Sequence, residues 1–528
     1  MVEPSEHFNF VRDVMDRWAS ERPDAAALWF VDSPGGNEQR FSFRQLAESS
    51  RRAASFLVRQ GIRRGDRVLV VLPRVPQWWL AMLGLIRLGA VPVPGTALLT
   101  AKDIRFRAKS AGAGAIITDG DGAAKAEGFH GIRILVNAAS AAAVPDGWVD
   151  FDAGLRAADA GFDPEPTRGD EPGIIYFTSG TTGHPKMVIH SQASYGLGHR
   201  VTGTLWLDLK PGDVLWTISD TGWAKAAWSS FFGPWQVGVC VFTMGSGGKF
   251  GPVTALQMLS QYPITTWCAP PTALRMIVRE DLSRWRFPHL RHCVSAGEPL
   301  NAEVVNAWKA ATGLTIYEGY GQTESVVLVG NFRALGHEVR PGWMGRATPG
   351  FELAVLDEQL REVPDGEEGE LAVRVAPRRP LGLFREYWQN PAENADRFRG
   401  DWYLTHDRVV RDADGYYRFV GRDDDVIKSS GYRIGPFEVE SALIEHPAVL
   451  EAGVVGVPDS VRGQIVKAFV VLRKGVAASN ALRLELQTHC KHATAPYKYP
   501  REVEFVPSLP KTISGKTRRA ELRQRGRL

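Results

Sequence analysis

The segment YFTSGTTGHPK, Tyr176 to Lys186, ends an apolar run in the hydroxyls Thr178, Ser179, Thr181 and Thr182, the glycines Gly180 and Gly183, and a lysine. Hydroxyls, bare backbone amides and a cation on one loop suit a polyanion, and phosphate is the first candidate. The spacing is not that of a Walker loop, because Pro185 precedes Lys186 and Met187 follows it. A serine-hydrolase elbow is excluded too: Phe177 stands where its first glycine belongs. Taken alone, a hydroxyl-rich surface turn has the same composition.

Further motifs follow in order: SAGEPL (Ser295 to Leu300), YEGYGQTES (Tyr317 to Ser325), the long YLTHDRVVRDADGYYRFVGRDDDVIKSSGYRIGPFEVE (Tyr403 to Glu440) and PKTISGK (Pro510 to Lys516). Together they resemble the signatures of the adenylate-forming, AMP-binding superfamily of acyl-CoA synthetases, luciferases and peptide-synthetase adenylation domains. The resemblance runs along nearly the whole chain. FNFVRDVMDRWA near the N-terminus, SDTGW (Ser219 to Trp223) and the PKM variant are similar to the medium-chain acyl-CoA synthetase branch. A terminal carrier-protein domain is not expected, which argues against a peptide-synthetase module.

The resemblance implies two steps. A carboxylate attacks the α-phosphate of ATP to give acyl-adenylate and pyrophosphate, and the coenzyme A thiol then displaces AMP. It assigns Thr178 to Thr182, Gly183 and Lys186 to the β- and γ-phosphates. Gly297, Glu298 and Pro299 line the adenine side. Glu318, Gly319, Tyr320 and Gln322 complete the nucleotide pocket, with Tyr320 stacked on the base. Thr323 meets the α-phosphate and Glu324 binds Mg²⁺, a hard cation suited to carboxylate and phosphate oxygens. Asp407 takes the ribose hydroxyls, with Arg422 at the ribose and Arg433 at the phosphates. Lys516 is the catalytic lysine, its ammonium set against charge that grows in the transition state. Asp424 matches the hinge, and Ser430, Gly431, Tyr432 and Arg462 match the coenzyme A positions, with Lys498 a weaker candidate.

Two residues depart from the family pattern. His406 replaces the glycine of TGD, so the turn needs a backbone that histidine can adopt. Val326 replaces the glycine after the TE pair and adds bulk near the acyl pocket, which Trp223, Lys225 and Gly321 are expected to share. Without a side chain at Gly321, the pocket is expected to open to a longer or aromatic acyl group. Lys225 either faces a polar acyl tail or snorkels at the rim.

The elements that must position these residues read as α/β. RVLVVLP, GAIITD, RILVN, GIIYF, VCVFTM and ITTWCAP are short apolar strands, and QWWLAMLGLIRLGA is a helix. Strands spaced by helices predict largely parallel sheets. The expected fold is a large N-terminal domain of doubly wound α/β subdomains plus a small β-barrel region, followed by a small mobile α+β domain. The boundaries read as 1–421, a hinge at 422–425 within the charged run Arg422 to Asp425, and 426–528. The last segment, with seven Lys/Arg and one Glu, reads as a solvated tail.

With 528 residues, the chain exceeds one hydrophobic core. A formal net charge of +4 gives no chain-wide surface for nucleic acid. Four cysteines (Cys240, Cys268, Cys293, Cys490) form no CxxC, which argues against a disulfide framework or a zinc site. The N-terminus has no apolar signal core, and the apolar region Leu80 to Leu99 is broken by Arg87, Pro92 and Pro94, so neither targeting peptide nor membrane span is expected. These features point to a cytoplasmic enzyme, with a homodimer allowed. The sequence reads as an ATP-, Mg²⁺- and coenzyme A-dependent ligase of medium-chain, branched or aromatic acids. The alternatives are a short-chain or aryl acid ligase and a stand-alone adenylating enzyme that loads a carrier protein.

Overall fold

A computed structural model describes residues 6–137, 144–178, 185–245, 250–430, 432–459, 461–495, 497–512 and 516–526. One sheet has five parallel strands in the order Val91–Gly95, Arg67–Val71, Ala115–Thr118, Ile132–Leu135, Val149–Asp150. Helix Pro76–Leu88 crosses over it; Pro76 suits the first turn, and Gly89 ends it at φ 76°. This helix is apolar almost all round because it is buried on all sides. Helix Phe43–Arg59 lies against it, begun by a reciprocal Ser42–Gln45 cap. The contact is close: a Cβ at Gly84 would meet that of Ala53 at 2.4 Å.

A second sheet runs in parallel through Ala26–Val31, Cys240–Met244, Val214–Thr217, Thr266–Cys268, His292–Ala296 and Ile316–Tyr320. After Tyr320 the pairing turns antiparallel, through Val329–Gly330, Gly345–Ala347, Tyr416–Arg422, Trp402–Arg411, Glu368–Arg374 and Leu353–Leu356. One continuous sheet therefore carries both the Tyr320 and the Asp407 strands.

Strand Pro172–Phe177 does not join a parallel sheet. It returns directly as Met187–Ser191 in an antiparallel hairpin, Phe177 opposite Met187, with Glu386–Tyr387 as a third strand. The two antiparallel strands flank the hydroxyl-rich segment, whereas periodicity alone only identified a buried strand.

The C-terminal part has its own sheet, Tyr432–Ile434, Ile427–Ser429, Gly463–Leu472, Val449–Asp459, with Glu502–Phe505 beside Gly463–Leu472. Helices Pro436–Glu445 and Asn480–Ala493 close a separate core around Val439, Leu443, Val454 and Leu486. The basic end is not a solvated tail. It forms helix Arg519–Gly526, which buries Leu522 and pairs Arg519 with Glu440 at 2.7 Å and Arg523 with Asp425 at 2.7 Å. Asp425 and Glu440 are buried, and unpaired they would be strongly destabilising.

Candidate active site

Asp407 is buried in strand Trp402–Arg411. Its Oδ2 accepts the Tyr320 hydroxyl at 2.5 Å and Gln322 Nε2 at 2.6 Å. Gln322 also donates to the Thr405 carbonyl at 2.9 Å and accepts the Tyr403 hydroxyl at 2.9 Å, which fixes its amide. Arg422 Nε lies 3.9 Å from Asp407 and 3.7 Å from Asp424. Strands far apart in sequence thus deliver one anchored carboxylate. His406, before it, adopts φ 56°, the left-handed backbone natural to the glycine it replaces. Two contacts hold it there: its N–H donates to Glu370 Oε1 at 2.8 Å, and its ring lies 3.4 Å from Asp396. Burial and the neighbouring Arg397 push its imidazole down from its ordinary value despite Asp396.

Gly297 sits at φ 106°, and a Cβ there would meet nothing within 4 Å, so the backbone faces open space. Glu298 is held by Thr272 Oγ1 at 2.6 Å and Arg275 at 2.9 Å. Burial acts to raise its carboxyl, but Arg275, Thr272 and Lys516 outweigh it and hold it below the usual range. Pro299 follows, half-buried. Lys516 comes from the C-terminal part, its N–H on Thr512 Oγ1 at 3.1 Å. Its side chain is open to solvent, yet protein crowds it closely enough to lower its ammonium; Glu298 and Asp407 oppose that shift and Arg422 adds to it. Lys225 joins this group: Nζ donates to the Ala296 carbonyl at 3.1 Å, and burial lowers it too, with Lys516 among the neighbouring charges. Lys516 is thus near enough to Lys225, Glu298, Asp407 and Arg422 for their charges to bear on one another.

At the loop expected to bind phosphate, Thr178 N donates to the Lys186 carbonyl at 2.9 Å, and Lys186 N to Thr178 Oγ1 at 3.2 Å. The Lys186 ammonium pairs with Glu393 and lies 5.6 Å from the centre of the Tyr387 ring. Ser179, Gly180, Thr181, Thr182, Gly183 and Gly431 lie outside the described residues. His190 Nε2 donates to the Thr323 carbonyl at 2.8 Å; burial pushes this imidazole down to about 3, so the ring is neutral and stacks on Tyr195. Glu324 is buried, and one oxygen accepts the Tyr387 hydroxyl at 2.7 Å. Among the described residues no three ligating side chains cluster around a metal. A lone carboxylate fits Mg²⁺, which takes most of its ligands from phosphate and water. Glu318 accepts Leu300 N–H at 3.2 Å, and burial pushes its carboxyl up to about 8, so it is protonated at neutral pH.

Gly319 and Gly321 are each covered by a tryptophan. A Cβ at Gly319 would meet Trp206 Nε1 at 2.5 Å, and one at Gly321 would meet Trp228 Cη2 at 2.3 Å. The bare Gly321 therefore does not leave an opening by itself, because the Trp228 indole occupies that space. Val326 is fully buried, its N–H on the Gly382 carbonyl at 2.9 Å. Trp223 is half-buried and precedes helix Ala224–Ser230, which carries both Lys225 and Trp228.

The expected coenzyme A residues gather on the C-terminal sheet. Ser430 N donates to the Arg462 carbonyl at 3.0 Å, and Arg462 to Ser430 Oγ at 3.2 Å. Tyr432 stacks on Tyr497 at 4.2 Å. Lys498 pairs with Glu438, which also holds Arg418 at 2.8 Å. Arg433 is engaged by Glu358 at 2.7 Å instead of joining the phosphate-side group.

Sequence reasoning missed Glu393, Arg397 and Tyr387 around Lys186, Thr272 and Arg275 around Glu298, and the two tryptophans. For the first group only the Asn390-Pro391 start of helix Pro391–Arg397 is a signal: Asn390 caps it by accepting Glu393 N–H at 3.2 Å. The tryptophans carry no pattern that separates pocket from core.

The AMP-binding enzyme family profile matches residues 15–388, and the AMP-binding enzyme C-terminal domain profile matches 438–516. The mouse (Mus musculus) mitochondrial acyl-coenzyme A synthetase ACSM3 is 48% identical over 539 residues, covering 99% of this chain and 91% of the relative. Among solved structures, the anthranilate CoA ligase AuaEII in complex with anthranoyl-AMP superposes with a TM-score of 0.89 at 29% identity, covering 99% and 98% of the two chains. A benzoate CoA ligase from Burkholderia xenovorans LB400 gives 0.85 at 29% identity, covering 98% and 100%. The cytoplasmic reading is corrected by these relatives. Those from mouse, rat and human are named as mitochondrial, which points away from the cytoplasm. Buried free cysteines suit any reducing compartment, so composition could not separate the two. Whole-length identity, both family profiles and the shared fold agree: the chain belongs to the AMP-binding enzyme family and, within it, to the acyl-coenzyme A synthetases.

Proposed function

We propose that this acid–thiol ligase activates a medium-chain, branched or aromatic carboxylic acid as its acyl-adenylate and passes the acyl group to coenzyme A. The reading is supported by the buried Asp407 carboxylate, anchored by Tyr320 and Gln322 with Arg422 3.9 Å away, and by Lys516 of the C-terminal part, whose ammonium feels the charges of Glu298, Asp407 and Arg422. Adenylation brings a carboxylate against a triphosphate, and a poised cation stabilises the charge that develops between them.

In this reading Asp407, set by Tyr320 and Gln322, binds the ribose, and Gly297 to Pro299 with Glu318 and Gly319 line the adenine. Thr178 to Gly183 and Lys186 hold the outer phosphates, and Thr323 the α-phosphate. Glu324 holds Mg²⁺, which would neutralise phosphate charge. Ser430 to Tyr432 and Arg462 bind coenzyme A after the small domain (426–528) turns about Asp424 within 422–425, a movement that would also release Arg433 from Glu358. Trp223, Lys225, Gly321 and Val326 bound the acyl side together with Trp228. The anthranilate and benzoate ligases among the structural neighbours favour an aryl acid as the second reading.

The test is a panel of straight-chain acids from acetate to dodecanoate, with benzoate and phenylacetate, assayed with ATP, Mg²⁺ and coenzyme A. Pyrophosphate release and thioester formation are both followed. Hexanoate or octanoate is expected to give the highest kcat/KM. A preference for acetate, or pyrophosphate release without thioester, overturns the reading.

A further inference from the structure

Lys186 does not stand free beside the site. Its ammonium pairs with Glu393, from helix Pro391–Arg397, a segment outside all the motifs. Both side chains are only partly covered, at 27% and 17% exposure, so a ligand can reach the pair. Glu393 has a second cation: Arg397 Nε donates to the same Oε1 at 2.9 Å. Arg397 is itself buried and fixed by the Leu404 and Thr405 carbonyls at 3.3 and 2.9 Å. If Lys186 turns away, the Glu393 carboxylate therefore keeps a counter-ion, and the exchange leaves no isolated buried charge.

We infer that Glu393 competes with ATP phosphate for Lys186, holding the ammonium until a phosphate oxygen displaces the carboxylate. The inference rests on the reading of Lys186 as a phosphate ligand. A carboxylate beside the outer phosphates also repels them, so Glu393 opposes nucleotide binding twice: it occupies the cation and adds like charge. The consequence is directional. Loss of the Glu393 charge tightens nucleotide binding, whereas loss of a merely structural contact weakens it.

The test titrates a non-hydrolysable ATP analogue with Mg²⁺ into wild type, Glu393→Gln, Lys186→Met and the double variant, with thermal unfolding as the check of fold. Glu393→Gln is expected to lower the Kd about three- to fivefold, the range of a partly exposed ion pair. Lys186→Met is expected to raise it, and in that background Glu393→Gln is expected to lose most of its effect. Unchanged or weaker binding by folded Glu393→Gln, while Lys186→Met still weakens binding, overturns the inference and leaves the reading of Lys186 standing. An unchanged Kd in Lys186→Met overturns both. Should Glu393→Gln fail to fold, Glu393→Ala is judged by the same outcomes.

Discussion

The Tyr320 hydroxyl donates to the Asp407 carboxylate at 2.5 Å, bridging the last parallel strand of the large sheet and an antiparallel strand that follows much later in the chain. Burial, with Asp407 alongside, holds this phenol well above its ordinary value, so it remains a donor at any working pH. Tyr320→Phe removes a hydrogen bond to a charged group and leaves Asp407 less firmly aimed. The KM for ATP is expected to rise about tenfold. An unchanged KM removes Tyr320 from the ribose site.

Lys516 gives a half-reaction test and a pH test. Lys516→Ala is expected to slow acyl-adenylate formation by roughly 10²-fold or more, while thioester formation from supplied acyl-adenylate persists. Equal losses in both steps contradict the role. Crowding by protein lowers the Lys516 ammonium, so it is charged at low pH and loses its proton as pH rises through that lowered value. Adenylation should then fall on the alkaline side, below the ordinary lysine value of about 10.4. Lys225 is lowered for the same reason, and Lys516→Arg separates the two. Arginine stays charged, so an alkaline limb due to Lys516 disappears in that variant and one due to Lys225 remains.

Asp424 lies between strand Tyr416–Arg422 of the large sheet and strand Ile427–Ser429 of the small one. Its carbonyl accepts Arg523 at 3.2 Å. Proline at this position fixes φ and resists rotation. Asp424→Pro is expected to retain adenylate formation and to lose thioester formation. Pre-steady-state measurement of the two steps decides it, and wild-type rates in both count against rotation here.

Motif order named Tyr320, Gln322, Glu298, Asp407, Arg422 and Lys516 as candidates for one site, because each belongs to a segment whose residue types suit a nucleotide. Apolar runs also located the strands, Arg67–Val71 and Cys240–Met244 among them, since burial on both faces leaves continuous hydrophobic stretches. Pairing direction was not legible: Pro172–Phe177 has the same apolar run as a parallel strand, and only its return as Met187–Ser191 makes it a hairpin. The terminal helix was missed because Arg519 and Arg523 look solvated until Asp425 and Glu440 are brought beside them. Glu393 was missed for the same reason, since its partner Lys186 is distant in sequence.

The acyl limit is where structure changes the sequence reading most. A glycine at 321 suggested open space for the acyl group. The space is already filled, because a Cβ at 321 would meet Trp228 Cη2 at 2.3 Å and the Val326 carbonyl oxygen at 2.5 Å. Any side chain at 321 must displace an indole or a backbone, and Gly321→Trp tests packing, not specificity. The informative position is Trp228, buried, one helical turn from Lys225, its ring 6.2 Å from that of Trp206. Trp228→Leu is expected to enlarge the acyl side beside Gly321 and extend the preferred chain. Each further methylene buried contributes about 0.8 kcal/mol, roughly a fourfold gain in kcat/KM per carbon until the new space fills. The measurement is the ratio of kcat/KM for decanoate and hexanoate in wild type and variant. A rise by an order of magnitude places Trp228 at the end of the acyl chain. A ratio that does not move, in a variant whose Tm shows it folded, means that the acyl chain runs elsewhere and that the indole serves only to pack Gly321.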